Sequence, residues 1–453
     1  MLGKIPRDIL EVCQRLSEQG AAVHLVGGAV RDLLLGEPTG DFDLATSATP
    51  DQVSRLFERV ANTGLKHGTV TVVTDNNSNV EVTTYRTEDR YGDGRHPDSV
   101  VFVGNIEQDL ARRDFTVNAM ALSFPEGQLV DPYNGRADLA ARLLRSVGVA
   151  ERRFLEDGLR LLRACRFCAT LEFEIEKSTK EGMEKARQQL ALVSPERQRD
   201  ELTKTLVKAQ QPSRAFFAAQ QTGLLGQFLP ELERCVGYQQ NKWHKYDVFE
   251  HTMKVLDEIQ PGNLNLRLAA LLHDVGKPDT MSEKDGERHF YDHEQKSSEI
   301  AAAVMTRLRF SNSQIDQVSR LIAEHMWYYE KNWSDAAVRR FLRRIGGAGW
   351  VVDTFELRRA DILGRGRDDL LDDELKLTAE LLDRINEQIE NNYIFSIEDL
   401  PVNGHDVMSV LGIGPGPRVG EALKWLLEKI ELEPEKNERD IALELIARHF
   451  ANR

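Results

Sequence analysis

The sequence predicts an α+β protein, with a mixed region of strands and helices up to about residue 140 and a long helical body after it. The strand prediction rests on stretches rich in Val and Thr with partial alternation: AAVHLVGG, TVTVV, VEVTTYR, SVVFV and GQLVD. Between them, DQVSRLFERV has helical spacing. After about Leu143 the strand signals stop, and apolar residues recur at helical spacing in FLEDGLRLLRACRFCATL, PERQRDELTKTLVKAQ, LRLAALLHDVG and DELKLTAELLDRINEQIENN.

The length of 453 residues predicts roughly two to four domains. We expect a head at 1–140, a helical neck at 141–235, a third domain at 236–368 and a helical tail at 369–453. No apolar run approaches the roughly 18 residues of a membrane-spanning helix, and the N-terminal residues lack the apolar core of a signal peptide. These observations predict a cytoplasmic protein without a membrane partner.

Charge is unevenly distributed along the chain. The formal net charge of −14 argues against nonspecific binding of nucleic acid over the whole surface. Between Arg142 and Arg214, however, 16 Lys and Arg stand against 11 Asp and Glu. If the chain binds a polyanion, this window is where we expect the contact.

A glycine pair stands where a predicted strand meets a predicted helix. The strand ends at Val26, and Gly27 and Gly28 form a turn in which the backbone can approach a ligand closely. The helix is predicted to begin near Val30, with Arg31 in its first turn. Because the free N–H groups of a helix N-terminus favour an anion, this stretch predicts a phosphate site.

Two aspartates follow at strand spacing. In DFD, Asp41 and Asp43 are predicted to point to one face of a strand and Phe42 to the other, towards a core. Two carboxylates so placed suit Mg²⁺, and two such ions can clamp the attacking and leaving oxygens of a phosphoryl displacement. Glu81, in VEVTTYR, is the candidate for a third acidic residue on a neighbouring strand. The predicted catalytic set is therefore Asp41, Asp43 and Glu81, with Mg²⁺ at the two aspartates.

Five ordered motifs carry a family resemblance. GGAVRD followed by DFD resembles the nucleotidyltransferase fold of DNA polymerase β, and RRDFTVNAM is similar to motif B of class II tRNA nucleotidyltransferases and bacterial poly(A) polymerases. DPYNGRADL resembles their head-to-neck connector, EDGLRLLRACRF their base-reading motif, and PERQRDE their fifth motif, which braces a helix. The resemblance implies a polymerase β-like head, an all-α neck and this nucleotide-binding set: Gly27, Gly28, Arg31, Arg112, Arg113, Asp114, Asn118, Asp157, Arg160 and Arg163.

The base-reading motif also has a chemical rationale. Asp157 and Arg160 are three residues apart on a predicted helix and would lie on one face. A carboxylate accepts from an exocyclic amino group, and a guanidinium donates to a ring nitrogen or carbonyl. Cytosine and adenine offer that combination, whereas uracil and guanine present a carbonyl and a ring N–H. The pair can therefore select C and A; the alternative interpretation is a surface ion pair.

Two further stretches, TGLKHGTVTVV and RTEDRYGDGRHPDSVVFV, resemble the CCA-adding branch of the family, the second being similar to its flexible loop. The implied activity is addition of C, C and A from CTP and ATP to the 3′ end of tRNA. The loop argues against an enzyme that adds only C. An enzyme that adds only A beside a CC-adding partner, or a bacterial poly(A) polymerase, stays open, as does a homodimer.

In the third predicted domain, histidines and aspartates occur in the order H…HD…H…H…D, which resembles the HD superfamily of metal-dependent phosphohydrolases. Imidazole with carboxylate suits a divalent transition metal, of open identity, better than Mg²⁺. The implied activity is that of a phosphatase or 2′,3′-cyclic phosphodiesterase, and the alternative is a scaffold without turnover. The implied ligands are His251, His273, Asp274, His293, His325 and Asp361.

Two other classes of function remain as alternatives at this stage. The first is a hydrolase whose head only senses nucleotide, and the second is a noncatalytic RNA-binding protein. The aspartates of DFD and the RRDFTVN stretch count against the first. Two complete-looking metal sites count against the second.

Overall fold

The computed structural model describes residues 2–40, 42–64, 68–89, 99–390, 397, 400–433 and 436–450. The chain divides into two compact units, Met1–Glu233 and Arg234–Arg453. The finer division into four domains stays a prediction. Within the described ranges, no helix combines the length and apolar composition needed to cross a membrane.

A mixed sheet forms the centre of the N-terminal part of the first unit. Seven of the described strands form it in the order β3-β4-β5-β2-β1-β8-β9, with β2 and β5 parallel and the other neighbours antiparallel. The strands of this unit are β1 (Val23–Val26), β2 (Asp43–Thr46), β3 (Val60–Gly64), β4 (Thr69–Val73), β5 (Asn79–Thr84), β6 (Arg86–Asp89), β7 (Ser99–Phe102), β8 (Ala121–Phe124), β9 (Leu129–Val130), β10 (Leu143–Leu144) and β11 (Glu174–Ile175).

Helices flank the sheet and make up most of the unit after residue 149. They are α1 (Arg7–Glu18), α2 (Gly28–Leu35), α3 (Pro50–Leu56), α4 (Ile106–Ala111), α5 (Gly135–Ala140), α6 (Ala150–Glu156), α7 (Leu159–Thr170), α8 (Lys177–Ala186), α9 (Pro195–Lys208), α10 (Ser213–Gln221), α11 (Leu225–Phe228) and α12 (Pro230–Glu233). A short 3₁₀ helix at Thr116–Asn118 and another at Arg187–Leu192 complete the elements used below.

The second unit is almost entirely helical. Its helices are α13 (Val248–Glu258), α14 (Leu264–Leu272), α15 (Lys277–Thr280), α16 (His293–Arg307), α17 (Asn312–Ala323), α18 (Asp335–Ile345), α19 (Val351–Gly364), α20 (Asp368–Glu390), α21 (Gly404–Leu411), α22 (Pro417–Leu432) and α23 (Arg439–Phe450). One described hairpin, β12 (Met281–Lys284) with β13 (Glu287–Phe290), lies between α15 and α16.

The predicted fold class is confirmed: a mixed sheet with helices precedes a mostly helical region. Each of the five predicted strand stretches contains a strand. In β5 the alternation is regular, with Val80 and Val82 buried and Glu81 exposed, because successive side chains point to opposite faces. The prediction that strands stop after Leu143 was wrong, since β10, β11 and the β12–β13 hairpin follow it. These strands are two to four residues long and contain none of the Val and Thr on which the strand prediction rests.

Two helix predictions also need correction. The helix after the glycine turn begins at Gly28 rather than near Val30, with Gly27 as its N-cap at φ 71°. The stretch FLEDGLRLLRACRFCATL is two helices, because Asp157 is extended at φ −145° and ψ 109°. Its carboxylate accepts from the backbone N–H of Leu159, a local bond that competes with helix formation. Gly158 lies so close to Gln189 that a Cβ there would be 2.5 Å from the Gln189 carbonyl oxygen.

Candidate functional site

The glycine turn brings two arginines close to the backbone. A Cβ at Gly27 would lie 2.8 Å from Nη1 of Arg113, and a Cβ at Gly28 would lie 3.4 Å from Nη2 of Arg31. The positive φ of Gly27 is a second reason for glycine at the turn. The N-terminus of α2 is therefore bordered by cations on two sides, an arrangement that suits an anion.

The predicted carboxylates lie beside this turn. Asp43 begins β2, opposite Val26 and in register with Glu81 of the parallel strand β5. Both carboxylates are exposed whereas Phe42 is buried, so Asp43 and Glu81 share the outer face of the sheet. The Cβ position of Gly27 lies 3.9 Å from Oδ2 of Asp43, which joins this face to the turn. Asp41, the third predicted member, lies outside the described residues.

Motif B contributes a buried chain of polar contacts. Arg31 donates from Nη1 to Oδ1 of Asn118 at 2.7 Å, and Asn118 donates to Asp114 at 3.2 Å. Asp114 in turn accepts from Nε of Arg163 at 2.8 Å, and Nη2 of Arg163 lies 2.6 Å from the same oxygen. This series of polar contacts runs from α2 in the predicted head to α7 in the predicted neck, so it links two of the predicted functional regions within the first unit.

Asp114 is the buried anion in this series of polar contacts. Its Oδ1 also accepts from the backbone N–H of Phe115 at 2.8 Å, so both oxygens are hydrogen-bonded. Burial alone would raise the pKa of Asp114, but the charge and hydrogen bonds of Arg163 hold that pKa well below its ordinary value. The carboxylate therefore stays ionised at neutral pH, and it stabilises the guanidinium that faces it.

Other arginines of the predicted set pair with a buried carboxylate of α4. Asp109 accepts from Nε of Arg112 at 3.0 Å, and Nη2 of Arg113 lies 3.5 Å from its second oxygen. Burial lowers the pKa of Arg113, an effect that Asp109 and Asp43 oppose. Asp109 was not predicted as a site residue, since a single acidic residue outside the motifs carries no signal of its own.

The base-reading pair is arranged differently from the prediction. Asp157 precedes α7 in extended conformation, so it does not share a helix face with Arg160. Arg160 is buried and donates to Glu156 at 2.7 Å, to the carbonyl of Arg153 at 2.9 Å and to that of Arg112 at 3.0 Å. Arg160 is thereby anchored against motif B, while Asp157 has another partner.

That partner is Arg197 of α9, which is not among the predicted nucleotide-binding residues. Its Nη2 lies 2.9 Å from Oδ2 of Asp157, and its Nη1 lies 3.3 Å from Oδ1. Arg197 belongs to PERQRDE, whose buried Glu201 makes a separate 2.6 Å ion pair with Arg166 of α7. The contact to Asp157 spans 40 residues, and no local spacing indicates it.

In the second unit, all six residues of the H…HD…H…H…D pattern lie in one buried cluster. His251 is on α13, His273 and Asp274 follow α14, and His293 begins α16. His325 follows α17, and Asp361 is on α19. Every one of the six side chains is buried. Five helices thus place imidazoles and carboxylates that are up to 110 residues apart around one centre.

Distances within the cluster are those of neighbouring ligands. Nε2 of His251 lies 3.3 Å from Nε2 of His273, 3.3 Å from Asp274 and 3.2 Å from Asp361. His251, His273 and Asp274 form one group in which the ligand atoms lie within 4.8 Å of one another. Asp274, His293 and His325 form a second such group. Asp274 is common to both, as a carboxylate that bridges two cations would be.

Three of the histidines are held in one tautomer. Nδ1 of His273, His293 and His325 lies 2.8, 2.7 and 2.6 Å from the backbone carbonyl three residues earlier. A carbonyl can only accept, so each Nδ1 carries the hydrogen and each neutral ring has its lone pair on Nε2. This second hydrogen bond is the arrangement typical of metal-ligating histidines.

The lone pairs then face one another. Nε2 of His293 and Oδ1 of Asp274 lie 3.4 Å apart, yet within the described residues neither atom makes a hydrogen bond. Two buried acceptors so placed repel unless a cation lies between them. The donor set therefore fits divalent metal ions, and the mixture of imidazole and carboxylate favours transition metals.

Basic side chains surround the two carboxylates. Nζ of Lys277 lies 2.6 Å from Asp274, and Asp361 pairs with Arg358 and Arg365 at 3.0 and 2.7 Å. Burial would raise the pKa of Asp361, but Arg365 and the hydrogen bond from His251 hold it well below the ordinary value. Both aspartates are therefore ionised at neutral pH and could serve as anionic metal ligands.

His244 is a residue that sequence reasoning left unassigned. Its ring packs edge-on against His251 with centroids 5.1 Å apart, and its Nδ1 lies 2.9 Å from Oδ1 of Asn241. Burial, with the charges of Lys277 and His251, lowers the pKa of His244 to about 2. It is therefore a neutral neighbour of the cluster, and the H…HD…H…H…D order gives no position for it.

Family models match three parts of the chain. Residues 23–145 match the poly A polymerase head domain, and residues 172–235 match a probable RNA and SrmB binding site of polymerase A. Residues 290–446 match a putative domain 2 of tRNA nucleotidyltransferase.

Some relatives match nearly the whole chain and others less than half of it. A CCA-adding enzyme of Lactococcus lactis subsp. cremoris is 33% identical over 461 residues, which cover 97% of this chain and 96% of the relative. A CCA-adding enzyme of Lactobacillus delbrueckii subsp. bulgaricus is 46% identical over 195 residues, or 43% of this chain and 49% of the relative. The crystal structure of the Bacillus stearothermophilus CCA-adding enzyme in complex with CTP has a TM-score of 0.73 and 28% identity, covering 98% of this chain and 96% of that one. The chain belongs to the family of CCA-adding enzymes, which are tRNA nucleotidyltransferases.

Proposed function

We propose that this chain adds C, C and A in turn to the 3′ end of tRNA, with CTP and ATP as substrates and no nucleic-acid template. Full-length similarity to CCA-adding enzymes supports this activity. The observation that carries it is the meeting of Asp43, Glu81 and Arg113 around the turn at Gly27. Carboxylates for metal and cations for phosphate are what nucleotidyl transfer requires at one place.

Asp41, Asp43 and Glu81 are the residues that would hold Mg²⁺ in the head. Their carboxylate oxygens are the hard ligands that Mg²⁺ prefers. Bound Mg²⁺ would assist deprotonation of the tRNA 3′-hydroxyl and neutralise charge on the triphosphate. Arg31 and Arg113 border the N-terminus of α2 and would orient the triphosphate there.

Base selection belongs to Asp157 and Arg160 in this proposal. The carboxylate of Asp157 would accept a hydrogen bond from the exocyclic amino group of cytosine or adenine. Arg160 would donate to the ring acceptor beside that amino group. Arg160 donates a 3.0 Å hydrogen bond to the backbone carbonyl of Arg112, which supports a fixed distance between Arg160 and motif B. The basic window 142–214 is the part of the chain where we place the tRNA backbone.

We assign a second activity to the cluster in the second unit: metal-dependent hydrolysis of a phosphoester. The observation that favours it is the pair of three-residue groups sharing Asp274. Divalent ions bound there would supply a nucleophilic water and neutralise the phosphate. Lys277, buried beside Asp274, holds a positive charge next to the place where a phosphate would lie.

The expected result for the first activity comes from tRNA that ends at the discriminator base. With CTP and ATP together we expect three added nucleotides, with CTP alone two, and with ATP alone none. Denaturing gels resolve these products. Absence of addition with CTP, but addition of one A to tRNA ending in CC, would instead identify an A-adding enzyme. Long tails from ATP alone would identify a poly(A) polymerase.

Asp43→Asn should abolish incorporation in the same assay while the fold is retained. Loss of a direct metal ligand should exceed the roughly 10–100-fold cost of losing an outer partner. Asp75→Asn is the matched control, because Asp75 is an exposed aspartate in a turn of the same sheet. Incorporation by Asp43→Asn within tenfold of wild type, about 1.4 kcal/mol, would contradict the assignment.

Metal analysis tests the second activity. We expect two transition-metal ions per purified chain, one in His293→Ala and none in Asp274→Ala, because Asp274 belongs to both groups. His289→Ala is the control, since His289 stacks on Tyr291 outside the cluster. Hydrolysis of bis-p-nitrophenyl phosphate should fall with metal content, while nucleotide addition persists. A metal-free wild type that gains neither metal nor hydrolysis on supplementation favours the scaffold alternative.

A further inference from the structure

Arg197, on the neighbouring helix α9, donates two hydrogen bonds to the carboxylate of Asp157. It is the third residue of α9, and its two terminal nitrogens face the two oxygens of Asp157 at 3.3 and 2.9 Å. Both side chains are largely buried, with 22% and 17% of their surface exposed. A planar guanidinium that meets both oxygens fixes the plane as well as the position of a carboxylate.

The remaining hydrogen-bonding capacity of Asp157 is therefore limited. A carboxylate has about four acceptor positions. Oδ1 accepts from the backbone N–H of Leu159 at 3.0 Å and from Nη1 of Arg197 at 3.3 Å. Oδ2 accepts from Nη2 of Arg197 at 2.9 Å. One acceptor position of Oδ2 is left for a further donor, and Arg197 determines the direction in which it points.

Packing of α9 against α7 has a separate anchor. Glu201, four residues after Arg197, is buried and lies 2.6 Å from Nε of Arg166 on α7. Leu202 and Leu206 of α9 are also buried. The helix is thus held in place by contacts that do not involve Arg197, so removal of the Arg197 guanidinium should leave the neck folded.

We propose that Arg197 is a positioning residue for nucleotide selection: by fixing the orientation of Asp157, it makes this carboxylate accept from an amino group at one place only. The inference rests on the proposed function of Asp157 as a base reader. Without Arg197 the carboxylate can rotate, and a uracil carbonyl no longer meets a fixed acceptor. Loss of Arg197 should therefore lower the selectivity between bases more than it lowers the rate of nucleotide transfer.

The test is single-nucleotide incorporation with each of the four triphosphates on tRNA ending at the discriminator base. We expect Arg197→Ala to reduce the preference for CTP over UTP, as a ratio of kcat/KM values, by about tenfold, the effect of one charged hydrogen bond. Arg197→Lys should restore only part of it, because an ammonium group cannot meet both oxygens. Arg199→Ala is the matched control, since Arg199 lies on the same helix and pairs with its exposed neighbour Asp200.

Asp157→Ala separates this inference from the proposed function. If Asp157→Ala keeps wild-type selectivity, base reading by Asp157 fails. If Asp157→Ala loses selectivity while Arg197→Ala and Arg197→Lys keep it, base reading stands and positioning by Arg197 is overturned. The double variant should discriminate no worse than Asp157→Ala alone, and a further loss would show that Arg197 acts elsewhere. Should Arg197→Ala unfold below the assay temperature, Arg197→Lys and Arg197→Gln provide the same comparison.

Discussion

The buried carboxylate of Asp114 is the interaction on which the first unit depends. It accepts three hydrogen bonds, from the backbone of Phe115, from Asn118 and from Nε of Arg163, and Nη2 of Arg163 adds an ion-pair contact at 2.6 Å. An unpaired buried charge is costly, so each of these partners is held in place by the need to satisfy it. Through Asn118 the same carboxylate also orients Arg31, beside the glycine turn. One ion therefore joins the end of the head that we propose binds phosphate to the first turns of α7, and in that proposal it would hold the selected base at a fixed distance from the reacting phosphate.

The second unit also has a buried polar centre, but there several acceptor atoms face one another. Lone pairs meet at its centre: His273, His293 and His325 each present Nε2, and Asp274 presents Oδ1 without a hydrogen bond among the described residues. Such a set of lone pairs fits divalent cations. Asp274 belongs to both groups of three, so substitution of this one residue should abolish the two-ion site that we propose. The activities proposed for the two units should therefore be separable by substitution.

Patterns along the chain predicted what depends on local periodicity or on residue order. The outward direction of Glu81 follows from strand alternation, and the cluster around Asp274 follows from the order of histidines and aspartates. The break at Asp157 could not be predicted from helical spacing, because it depends on a side-chain bond to Leu159 and on the approach of Gln189. Arg197 was missed because its partner lies 40 residues away. Long-range pairing of charged side chains leaves no periodic trace in a single sequence.

The most direct test is whether substitutions of Arg31 and Arg163, which are joined through the hydrogen bonds of Asp114, have coupled effects on activity. Arg31→Ala, Arg163→Ala and the double variant would be compared by kcat/KM for CTP, with Arg152, exposed on α6, replacing Arg163 in a control cycle. Because both arginines are held through Asp114, their effects should be non-additive by about 1 kcal/mol or more, while the control cycle should be additive. Additivity of Arg31→Ala and Arg163→Ala within about 0.5 kcal/mol would contradict the claim that one buried carboxylate joins the phosphate site to the base reader.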